Sequence, residues 1–75
     1  MRRNMDYSST HVNAVIDEYI NYANCGKNAM RNREIIRERL INGVCFEPLA
    51  EHFDISVRQC KNIVYKMQEI VFKHL

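Results

Sequence analysis

Between its few breakers, this 75-residue chain sets its apolar side chains three and four residues apart, and it holds only two glycines and one proline. Steps of three and four line one face of an α-helix, whereas a half-buried strand alternates at every second residue. A β-sandwich needs many tight turns, and the residues that make them are scarce here. The pattern predicts an all-α fold, a small four-helix domain in which residues 1–75 form one unit, since no repeat, low-complexity tract or linker interrupts them. A hydrophobic fraction of 47% is enough for one modest core and argues against a disordered tail.

Four segments carry the helical spacing. Over residues 10–24, Val12, Val15, Ile16, Tyr19, Ile20 and Ala23 form one stripe behind candidate N-caps Ser8, Ser9 and Thr10, and Gly26 ends the run. Asp17 and Glu18 fall off that stripe and are expected in solvent. Tyr19 and Tyr22 read as core or boundary aromatics in preference to a stacking platform. The second segment carries Met30, Ile35 or Ile36, Leu40 and Ile41, and stops at Asn42-Gly43, where glycine accepts the positive φ of a left-handed cap. Its Arg31, Arg33, Arg37 and Arg39 project away from much of the stripe. Glu34 and Glu38 interleave with them at ion-pair spacing, so a self-neutralised solvated face and a phosphate-contacting face both remain open.

The third segment opens at Phe46-Glu47-Pro48, where proline loses nothing in the first helical turn, and continues with Leu49, Ala50 and Phe53 as an apolar edge closed by Asp54. The last runs from about residue 57 to about 75. Cys60, Ile63, Met67, Ile70, Val71 and Leu75 are expected inward, with Ser56 as its N-cap.

Charge is unevenly spread. From Lys27 onward there are nine Lys or Arg against six acids, while the stretch before it has two against three; residues 56–75 hold four cations and one acid. Cys25, Cys45 and Cys60 are odd in number and widely spaced, which fits neither a disulfide framework nor a zinc site, even with His52 and His74 added. They read as small apolar core cysteines, with the histidines in solvent, in a reducing, cytoplasmic compartment, with no metal and no cofactor expected. No apolar run approaches a membrane span, and residues 1–6 lead into polar residues rather than a signal-peptide core.

The joint between the last two segments is the informative part. Two helices packed through a tight turn need a small residue at the contact and apolar anchors on both sides. Ala50 supplies the first, with Leu49, Phe53, Ile55, Cys60 and Ile63 around it. This predicts a helix-turn-helix over about 46–67. Ser56, Val57, Arg58, Lys61, Asn62 and Tyr65 are then left outward on the second helix. Those residue types read a major groove: arginine or lysine on guanine, asparagine on adenine, a methyl on thymine, and hydroxyl or amine on phosphate.

The stretch from Arg33 to Leu75 resembles region 4 of bacterial sigma factors and the related helix-turn-helix of response-regulator output domains, and it is especially similar to small regulators of that type in bacterial, phage and mobile-element genomes. The resemblance rests on Leu49-Ala50-Glu51, Phe53-Asp54-Ile55-Ser56 and the run Arg58 to Lys66. It implies base contact by Val57, Arg58, Lys61, Asn62 and Tyr65, and phosphate contact by Ser56 and Lys66. Two departures stand out: Asp54 occupies a position where many such motifs place glycine, and the chain carries none of the other sigma regions that open promoters.

The expected function is that of a sequence-specific DNA-binding transcriptional regulator, with double-stranded DNA as partner. The competing reading is a protein-binding module directed at RNA polymerase or another regulator. A second copy of the chain is a further candidate partner, through Val71, Phe72 and Leu75, which could equally pack on the domain's own first helix. No serine, cysteine or carboxylate pair comes with the base and orienting partner that catalysis needs, so no enzyme activity is expected.

Overall fold

The computed structural model describes residues 9–75, and among them there are helices and no strands. The elements are α1 (Ser9–Tyr19), a one-turn α2 (Tyr22–Cys25), a 3-10 turn (Gly26–Asn28), α3 (Ala29–Leu40), α4 (Phe46–His52) and α5 (Val57–Lys73). The fold is all-α, as the spacing predicts. Of the three candidate caps for α1, Ser8 lies outside the described residues, as do residues 1–6, while Ser9 and Thr10 fall within the helix.

The expected single helix over residues 10–24 is in fact two, and Asn21 is the reason. Its side-chain amide donates to the Glu18 carbonyl at 2.9 Å, and its Oδ1 accepts from the Ala23 N–H at 3.0 Å. Asparagine thereby offers the backbone a local alternative to the helical ladder, closing α1 and opening α2. The break turns the chain, so Ala23 and Tyr22 are exposed, Tyr22 to 75%. Tyr22 is neither core nor boundary, and Met30, assigned to the second stripe, is likewise exposed.

The core is drawn from all four longer helices: Val15 and Ile16 on α1, with Ile20 just after it; Ile35 and Ile36 on α3; Leu49 and Ala50 on α4; Cys60, Val64, Met67 and Val71 on α5. Full burial of such side chains stabilises by about 1.5–3 kcal/mol each. Helix α5 packs against α1, α3 and α4. Its buried positions recur at steps of four, three and four, so Val64 takes the central place expected of Ile63, and Ile63 and Ile70 are half-buried flanks. Val71 is fully buried and Leu75 packs on this core, which leaves Phe72 alone of the proposed dimer residues exposed.

Two of the four α3 arginines fasten α1 to α3. Arg33 Nε donates to the Ile20 carbonyl at 2.6 Å, and Arg37 Nε to Asn13 Oδ1 at 2.7 Å. Arg37 also pairs with Asp17 and, at 3.4 Å, with Glu34. Asp17 is exposed as expected but is tied to α3. Gly43 has φ 67°, the left-handed cap expected after α3.

Among the described residues no helix is long and apolar enough to cross a membrane.

Candidate nucleic-acid interface

Four residues join α4 to α5, and their backbone is set by a cap rather than left loose. The Asp54 N–H donates to the Glu51 carbonyl at 3.2 Å and the Ile55 N–H to the Ala50 carbonyl at 3.0 Å, with Asp54 at φ 57°. This is the pairing of a Schellman motif, in which the residue after the helix takes the left-handed conformation. Glycine fits that position without steric cost; aspartate tolerates it better than most residues. Ile55 then folds back half-buried against the core.

Ser56 starts α5 with extended backbone, and its Oγ accepts from the Gln59 N–H at 3.0 Å. The N-cap predicted from sequence is present. The cap and the buried Cys60, Val64, Met67 and Val71 together hold α5 in one orientation, and the remaining faces look outward.

Ser56, Arg58, Lys61, Asn62, Tyr65 and Lys66 are all exposed, and Val57 is half-buried. At about 100° per residue, Arg58 and Asn62 lie opposite the buried stripe, and Tyr65 lies between them and the flank toward α4. Lys61 falls on the flank toward α4, and Lys66 on the other flank. The flanks differ chemically. On one, the Lys61 ammonium lies 5.7 Å and the Arg39 guanidinium 4.5 Å from the centre of the Phe46 ring, which Tyr65 meets edge-on at 6.0 Å. On the other, Asn62 and Lys66 border a groove of about 290 Å³ whose far wall carries Asn28 and Asn32.

Cys60 lies under the outward row and is fully buried. Burial pushes its thiol above the ordinary 9.0, partly opposed by the nearby Arg39 charge. It stays a protonated, apolar filler at neutral pH, which suits packing and not nucleophilic chemistry. Cys25, half-buried, places its Sγ 3.7 Å from Met67 Sδ, whereas Cys45, expected in the core, is exposed because it lies in the connection just before α4. His74 is exposed and stacks on Tyr19 at 3.7 Å between ring centres.

A shallow depression beside the turn is lined by Glu47, Glu51, Ile55, Ser56 and Val57. Its two exposed carboxylates set a negative edge next to the N-terminus of α5. Sequence reasoning singled out the outward α5 row but not Arg39 and Phe46 as its neighbours. They come from the end of α3 and the start of α4, and no spacing along the chain announces that they meet α5.

No protein-family model, curated protein or solved structure matches this chain.

Proposed function

We propose that this protein is a sequence-specific DNA-binding transcriptional regulator in which α4, the turn and α5 act as a helix-turn-helix of the sigma-region-4 type. The observation that carries the reading is the exposed row Arg58, Lys61, Asn62, Tyr65 and Lys66 on a helix whose opposite face is locked into the core. A rigid helix presenting arginine and asparagine opposite its buried stripe suits base edges in a major groove. Lys66 and the Ser56 hydroxyl suit the phosphates beside them. The resemblance described above points the same way, residue by residue.

Under this reading Arg58 and Asn62 carry base preference, each good contact contributing about 1–3 kcal/mol of discrimination. Arg58→Ala and Asn62→Ala relax the preferred sequence and leave the fold intact, because both side chains are in solvent. Lys66→Ala weakens binding to all sequences alike. The test is selection from random-sequence duplexes at two salt concentrations, followed by the same selection with each variant. An enriched motif, lost or broadened in Arg58→Ala, supports the reading. Absence of both enrichment and salt-sensitive binding overturns it. If the enriched site is a palindrome with half-sites about 34 Å apart, two copies bind it together.

A further inference from the structure

Arg39 and Lys61 come from different helices and converge on the same aromatic ring, at 4.5 Å and 5.7 Å from the centre of Phe46. The Arg39 Nη1 donates to the Val44 carbonyl at 3.2 Å, which anchors one end of the guanidinium. Among the described residues neither cation has a carboxylate within ion-pair distance. Arg37 differs in this respect: it spends its charge on Asp17 and Glu34. Two positive groups gathered on one ring repel each other, and an anion that reaches both converts that repulsion into two charge-assisted hydrogen bonds.

Position selects the anion. The cluster flanks the outward face of α5, with Lys61 one turn from Arg58 and Tyr65 touching the same ring. When a helix lies in a major groove, its outermost face meets base edges and its flanks meet the phosphates along the groove walls. Lys61 is on the flank.

We infer that Arg39 and Lys61, gathered on Phe46, form a two-cation clamp for the phosphodiester backbone of duplex DNA. This inference rests on the proposed DNA-binding function and refines it. It moves Lys61 from base reading to phosphate contact and adds Arg39, on the preceding α3, to the interface. Phe46 is a positioning residue: its ring holds both cations on one side of α5, so little side-chain freedom is lost when the backbone arrives.

The experiment measures affinity for a random-sequence duplex and for the selected duplex across a salt series, for the wild type, Arg39→Gln, Lys61→Gln and the double variant. Circular dichroism on each variant checks that the helices are retained. The slope of log affinity against log salt should shrink in magnitude by about 0.9 for each single variant and about 1.8 for the double. The ratio of selected to random affinity should stay unchanged. Unchanged slopes in folded Arg39→Gln and Lys61→Gln proteins, with the wild type still binding, overturn the clamp and leave the DNA-binding reading standing. So does a Lys61→Gln protein that keeps its slope but changes its preferred sequence. A wild type that binds neither duplex overturns both.

Discussion

Asp54 concentrates the residue-scale physics of this protein in one dihedral angle. A side chain at φ 57° crowds Cβ against a neighbouring backbone carbonyl, a cost of about 1–2 kcal/mol for most L-residues that aspartate moderates and glycine avoids. Asp54 is exposed, so its carboxylate is not needed by the core. Asp54→Gly should therefore raise stability by about 0.5–1 kcal/mol, and Asp54→Val should lower it by about as much or more. Thermal unfolding reads this as a midpoint shift of several degrees in opposite directions. A fall in midpoint for the glycine variant would show that the turn is held by the aspartate side chain and not merely tolerated by it. The position is legible in the sequence as the close of a helix, since the apolar spacing breaks there. That the backbone turns left-handed is a matter of where Ile55 must return.

At the scale of elements, α5 is the helix most fully readable from sequence, because its N-cap, its inward stripe and its cationic face all derive from spacing within nineteen residues or so. The misplacement of Ile63 against Val64 is local, since Cys60, Met67 and Val71 are buried as expected. Both are apolar, so the pattern fits either choice, and only the positions of α1, α3 and α4 around the helix decide between them. Helix α1 was less legible. The stripe through Ala23 continues past Asn21 in sequence, but a carboxamide that bonds to both Glu18 and Ala23 backbone atoms stops the helix where the apolar pattern does not. Element geometry also yields a prediction for the acidic edge of α4. Glu47 and Glu51 stand beside Ser56 and Val57 at the start of α5, where under the proposed function phosphates would meet two carboxylates. Glu47→Gln and Glu51→Gln should each tighten binding to any duplex by about two- to three-fold at low salt, fading as salt rises. A titration of fluorescent duplex with each variant at two ionic strengths measures it, and a sequence-dependent gain would mean that the edge contacts bases.

Across the whole molecule, three of the four arginines of α3 divide into different tasks. Arg33 and Arg37 reach back to Ile20, Asn13 and Asp17 and fasten α1, while Arg39 reaches forward to Val44 and Phe46. Arg37→Gln should cost about 1 kcal/mol, since one partly exposed residue there carries an ion pair and a hydrogen bond between helices. The expected reading is a lower unfolding midpoint with DNA affinity retained; loss of DNA affinity at unchanged midpoint would mean that Arg37 serves the interface and not the packing.

Much of this was determined by the sequence alone. The all-α class, the left-handed stop at Gly43, proline in the first turn of α4, the Ser56 cap and the outward Arg58, Asn62 and Lys66 all follow from interactions a few residues long. Such interactions depend on φ/ψ preference and on the 3.6-residue repeat, both carried by neighbours in the chain. The tertiary structure decided the rest: Val64 over Ile63 as the buried centre, Asp17 as a partner of Arg37, and Arg39 and Lys61 against the ring of Phe46. Those outcomes join residues many positions apart. They depend on which helix faces meet as the core excludes water, and burial favours any arrangement that hides the same apolar area until packing shape selects one.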